Sequence, residues 1–152
     1  MLISQELSLP ILKTLTKQRW ISKRLFKNAA NKYFIKKVLQ KAYPTGINID
    51  KELINLLYYP SQRIGASEAF HGFINIFNDY LAPDLMKNIH IPVHLIWGEN
   101  DPWESVNEAK KWYNSISCIK SLEIISKAGH CPHDEAPEKV NLIIEQIIQQ
   151  AT

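Results

Sequence analysis

Two short apolar runs, each closed by a loop bearing one ionisable side chain, constrain this chain more than any other feature. Pro92-Val93-His94-Leu95-Ile96-Trp97 ends at Gly98 and continues into Glu99-Asn100-Asp101. Leu122-Glu123-Ile124-Ile125 is followed by Ala128-Gly129-His130. Brief apolar runs bounded by turn residues read as buried strands, and proline is tolerated at a strand's first position. Between them, Ser105 and Glu108 form a capping-box signature for a helix carrying Val106, Ala109, Trp112 and Tyr113. A last helix is predicted from Pro137, a favoured first helical residue, with Asp134, Glu135 and Glu138 near its positive end. Its inner face reads as Val140, Ile143, Ile144, Ile147 and Ile148. Strand, helix, strand, helix with short connections implies parallel pairing through a right-handed crossover.

Everything before Ile91 reads as helical. Ile21, Leu25, Phe26 and Ala29, then Phe34, Ile35, Val38, Leu39 and Ala42, recur three and four apart, the spacing of an amphipathic helix. Pro44-Thr45-Gly46 marks a turn. Asp50 caps a predicted helix with Leu53, Ile54 and Leu57 that stops before Pro60. Another helix, with Ser67 as its N-cap, presents Phe70, Phe73, Ile74 and Phe77 and ends near Pro83. The expected division is thus a helical region over 1–90 and an α/β region over 91–152.

An apolar fraction of 45% and a charged fraction of 22% fit a soluble globular chain. No apolar run approaches the roughly 20 residues of a membrane-spanning helix. The first fifteen residues contain Glu6 and no early basic cluster, which argues against a secretory signal. Cys118 and Cys131 do not make a disulfide framework, so a cytoplasmic setting is the expectation. The net charge of +3 hides an asymmetry, because residues 1–49 hold ten Lys and Arg against Glu6 alone. That bias suits either an anionic surface or one solvated helical face, and its helical spacing favours the second. Trp20, Phe26, Tyr33 and Phe34 interleave with these bases, which keeps a binding module for membrane or nucleic acid as an alternative. No recognised nucleic-acid motif accompanies them. Cys131 and His133 lack further spaced metal ligands, and no glycine loop is built to cradle phosphate, so no cofactor is implied.

Reactive groups in open parallel sheets collect beyond the carboxyl ends of strands. Asp101 lies four residues past Trp97 and His130 five past Ile125, so both are expected at the same sheet edge. Alone, Asp101 reads as a turn residue in Asn-Asp-Pro, and His130 as a loop histidine after glycine. Their matching strand contexts favour pairing. His130 then serves as general base and acid, while Asp101 takes the other imidazole proton and fixes the tautomer. Trp103 is a pocket-lining candidate, and His133 reads as structural or substrate-facing.

Residues 91–150 resemble the C-terminal part of α/β-hydrolase-fold enzymes. The run Trp97-Gly98-Glu99-Asn100-Asp101-Pro102-Trp103, with Gly129-His130-Cys131-Pro132-His133-Asp134-Glu135-Ala136-Pro137-Glu138, is similar to the pheophytinase-like branch of plants, algae and cyanobacteria. The resemblance implies a partial α/β-hydrolase fold: a helical lid, then the last two parallel strands with their flanking helices. It also implies cleavage of a bulky apolar ester, the removal of phytol from a chlorophyll derivative being the best-known case.

Members carry an oxyanion-hole segment and a Gly-x-Ser-x-Gly elbow before the lid, and neither is found here. Gly65-Ala66-Ser67-Glu68-Ala69 imitates an elbow, yet the residues before it make a poor buried strand. The expectation is therefore an incomplete triad, inactive alone, whose nucleophile comes from a separate N-terminal half. A nonfunctional remnant is the other possibility. The nucleophile's identity, serine or aspartate, stays open.

Overall fold

The computed structural model describes residues 18–76 and 81–151. The chain forms two compact units, one of residues 1–39 and 49–81, the other of residues 40–48 and 82–152. Phe77, expected on an inner helical face, lies outside the described residues.

The first unit contains α1 (Arg19–Ala29), the start of α2 (Lys32–Ala42), α3 (Lys51–Ser61) and α4 (Ala66–Ile76). The apolar spacing runs through α1 and α2, but the helix breaks at Ala30–Asn31. There the Asn31 side chain accepts the Phe34 N–H at 2.9 Å and starts a new helix. Asp50 caps α3 as expected, accepting from Leu53 N at 2.8 Å. That helix does not stop before Pro60; it ends one residue past it. In a last turn, proline's missing N–H forfeits one bond rather than interrupting a ladder.

Ser67 is not the N-cap of α4. The helix begins at Ala66, Gly65 supplies its carbonyl to Ala69 N, and the Ser67 hydroxyl donates to Glu68 Oε2. Gly65 takes a φ of +87°, which a residue with a side chain resists. Because helix α3 rather than a strand precedes this turn, Ser67 lacks the setting of a nucleophile elbow.

Helices α1 and α4 pack through Phe26 and Phe70, whose ring centroids are 5.2 Å apart. Ser22 is fully buried there, its Oγ 2.7 Å from His71 Nδ1. At the rim, Lys23 chiefly, helped by the Ser67 hydroxyl, holds Glu68 down to about 2 from an ordinary 4.5. A value lowered by folding gives stability that is complete above the ordinary range and lost as pH falls through the lowered one. The unfolding midpoint should therefore drop between about pH 5 and pH 2, and less steeply at high salt, since the pair is exposed. Glu68→Gln should flatten that part of the profile, as read by chemical denaturation at each pH.

The second unit contains the end of α2, the Pro44 turn, α5 (Ala82–Met86), β1 (Val93–Gly98), α6 (Val106–Ser115), β2 (Ile119–Ile125), the one-turn α7 (Pro132–Glu135) and α8 (Pro137–Ala151). The two strands pair in parallel, from Val93 opposite Ile119 to Gly98 opposite Ile125. Among the described residues each strand pairs along one side only. Side chains alternate between faces. Val93 and Leu95 pack with Trp112 and Met86 against buried Ile116, Cys118 and Ile119. Ile96 turns to the other face, toward Ile125, Ala128, Val140 and Ile143. Ser105 caps α6 through Glu108 N at 3.3 Å. The expected inner face of α8 is only partly used: Val140 is buried and Ile143 packs beside it, whereas Ile144 and Ile148 are exposed. A two-stranded sheet offers too little surface to cover the whole apolar stripe. No described helix is long and apolar enough to cross a membrane.

Candidate active site

Both strands end at one edge, and the loops leaving them are joined by main chain before any side chain is considered. Glu99 N donates to Ile125 O at 3.0 Å and Asn100 N to Ala128 O at 2.8 Å. The approach is close enough that a Cβ on Gly98 would collide with the carbonyl oxygens of Gly129 and Ala128. Glu99 also accepts from Lys127 N and the Ser126 hydroxyl, each at 3.0 Å, and these bonds lower its pKa. They support Lys127 at a φ of +67°, a conformation that costs a non-glycine residue roughly 1–2 kcal/mol.

Asp101 follows directly. Its Oδ1 accepts from Trp103 N at 2.9 Å and Glu104 N at 3.1 Å, organising the turn. Oδ2 faces His130 Nδ1 at 2.9 Å. The turn role and the pairing role, alternatives in the sequence, are thus carried by different oxygens of one carboxylate. The Trp97 indole N–H donates to Glu104 O at 2.9 Å, tying the acid turn back to the strand.

The acid is shielded and the imidazole reachable, with side-chain exposures of 6% and 42%. A carboxylate only accepts, so Nδ1 carries the proton in the neutral imidazole. That leaves Nε2 with its lone pair free to accept. Trp103 stands edge-on to His130, with ring centroids 4.7 Å apart, which restricts imidazole rotation.

Of the residues singled out in the sequence, Asp101, His130 and Trp103 come together. His133 lies exposed on α7, and its imidazole takes no part in the Asp101–His130 pair. Sequence reasoning missed the support beneath the histidine. His130 N donates to Ala42 O at 2.8 Å, and Tyr43 is buried against Cys131 and Asp134. Burial first, then those two neighbours, push the Tyr43 phenol well above its ordinary range, so it stays neutral. Glu135, read as a helix-start acid, is buried; it accepts from Gly129 N and from both the main chain and hydroxyl of Thr45.

No family model matches the chain. It is 31% identical to pheophytinase, chloroplastic, of Arabidopsis thaliana over 115 residues, which is 72% of this chain and 23% of that protein. It is 25% identical to epoxide hydrolase 3 of Xenopus tropicalis over 100 residues, 66% of this chain and 27% of that protein. The chain thus spans about a quarter of the length of the curated relatives it matches. Among solved structures it is similar to a serine hydrolase involved in carbazole degradation, at 18% identity and a TM-score of 0.70, covering 80% of this chain and 48% of that one. A meta-cleavage product hydrolase from Pseudomonas fluorescens follows at 16% identity and a TM-score of 0.65, covering 80% and 47%. These likenesses, with two parallel strands, flanking helices and an acid and histidine at one sheet edge, identify the chain as part of an α/β-hydrolase fold.

Proposed function

We propose that this chain supplies the acid and the histidine of an ester-cleaving serine α/β-hydrolase. The observation that carries the reading is the 2.9 Å contact between His130 Nδ1 and Asp101 Oδ2 beyond the ends of adjacent parallel strands. In this role His130 Nε2 takes the proton of a serine hydroxyl as that oxygen attacks the ester carbonyl, then returns it to the departing alkoxide. Asp101 stabilises the imidazolium that forms in between. Trp103 lines the acyl or alcohol side of the pocket, and His133 faces substrate from α7.

In this reading the helical region, residues 1–90, is the counterpart of the family's lid, and residues 91–152 are the counterpart of the C-terminal part of its core. The helical unit exposes Leu56, Leu57 and Tyr59, side chains suited to a bulky apolar ester. The similarity to pheophytinase favours such a substrate. A cytoplasmic setting belongs to the same proposal, in keeping with free Cys118 and Cys131. The basic-module alternative is less favoured. Arg19 and Lys23 meet Glu68, Lys32 lies over Tyr58 and Tyr59, and Lys37 over Tyr33, so these bases serve local contacts.

The nucleophile and the oxyanion donors lie outside these 152 residues, which alone are catalytically silent. Loss of a single oxyanion donor already costs on the order of 10²–10³ in turnover. The purified chain should leave an aryl ester uncleaved. Adding a segment that carries the Gly-x-Ser-x-Gly elbow should produce hydrolysis, abolished by His130→Ala. Hydrolysis by the chain alone that depends on His130 would overturn the divided triad. Reconstituted activity indifferent to His130→Ala would overturn the catalytic assignment.

A further inference from the structure

The Glu135 carboxylate is only 6% exposed, and three donors converge on it. Gly129 N donates to Oε1 at 2.5 Å; Thr45 Oγ1 and Thr45 N donate to Oε2 at 2.5 and 3.3 Å. One donor is the N–H of Gly129, the residue immediately before His130. The others lie ninety residues away in sequence, on the turn after α2. That turn also provides Ala42 O, which accepts His130 N. A Cβ on Gly129 would run into Ala42 O and Pro44 Cδ, so the two segments are in direct contact. The carboxylate therefore closes a ring that runs from Ala42 to His130, Gly129, Glu135 and Thr45.

We infer that Glu135 is a positioning residue for His130, holding the Ala128–Gly129 peptide that leads into it so that Nδ1 meets Asp101. The inference rests on the role proposed above for the Asp101–His130 pair. An ionised carboxylate suits three donors because it only accepts. Charge-assisted bonds of this kind are about twice as strong as neutral ones, which suits a loop that must not drift. A glutamine in its place keeps one acceptor oxygen for Gly129 N but turns its amide N–H groups toward Thr45 N, a second donor. Placement of the imidazole within a fraction of an ångström matters, since a shift of about 1 Å can cost about 10² in rate.

The test reads the imidazole itself on the 152-residue chain, by ¹⁵N-histidine NMR and exchange of the Nδ1 proton. In the unmodified chain His130 should show a protonated Nδ1 that exchanges slowly, a signal removed by Asp101→Asn. Glu135→Gln should speed that exchange by about tenfold or more and mix the two tautomers, from the loss of bonds to a charged acceptor. Thr45→Val, which deletes one donor without burying a new polar group, should give an intermediate result with unchanged circular dichroism. Should Glu135→Gln fail to fold, Thr45→Val decides alone. An unchanged His130 signal in each folded variant would overturn the role given to Glu135. Absence of the Nδ1 proton in the unmodified chain would instead overturn the Asp101–His130 reading beneath it.

Discussion

A Gly98→Ala chain should lose about 3 kcal/mol of stability, at the upper end of overpacking costs, and with it the meeting of Asp101 and His130. Gly98 is buried at the end of β1, paired with Ile125. A methyl group there would fall on the carbonyl oxygens of Gly129 and Ala128, the latter at 2.7 Å. Neither can turn aside like a flexible side chain. The Ala128 carbonyl is already committed to Asn100 N, and moving it breaks the bond that joins the two loops. Relief therefore requires the histidine loop to lift away from the strand end. Urea denaturation measures the first effect, and loss of the His130 Nδ1 proton signal the second. Gly72→Ala is the control: a Cβ there meets nothing within 4 Å, and Gly72 lies inside α4. It should raise stability by about 0.5–1 kcal/mol. A Gly98→Ala chain as stable as the parent would show that the strand ends are looser than their hydrogen bonds imply.

That glycine also marks how far the sequence could be read. The strands, the Ser105 cap, the Pro137 start and the parallel order follow from local rules, because each depends on residues within a few positions of one another. The acid and histidine were legible for the same reason: strand ends in a βαβ unit must share an edge. Gly98 read only as a strand stop and Gly129 only as a loop glycine before His130, since their close approach to Ala128, Gly129 and Ala42 exists only in three dimensions. Glu135 read as a favourable charge for the last helix because nothing local discloses Thr45 as its partner. The separate turn α7 arises at Ala136, whose φ of −146° interrupts the path into α8. One missed boundary did carry a signal. Asn31 is a strong N-cap type set within a continuous apolar period, and a cap at that position divides α1 from α2.

For the reaction proposed above, Asp101→Asn should lower turnover by about 10⁴ while leaving the fold nearly intact, because the change reverses a proton's position rather than removing a contact. The argument starts from Oδ1, which holds two main-chain donors, Trp103 N and Glu104 N. An asparagine must keep its only oxygen there, or the turn would set its own N–H groups against those donors. Its amide nitrogen is then forced to the Oδ2 position, 2.9 Å from His130 Nδ1, and presents hydrogen toward the imidazole. The imidazole can answer only by accepting at Nδ1 and carrying its proton on Nε2. In that tautomer Nε2 has no lone pair with which to take a proton from the nucleophile. Substrate binding does not use this proton, so kcat should fall with KM little changed. The chain alone reports the same event: histidine ¹⁵N shifts should move the proton of His130 from Nδ1 to Nε2, with the unfolding midpoint close to that of the parent. A variant that retained both the Nδ1 proton and full turnover would mean that Asp101 serves the turn and not the reaction.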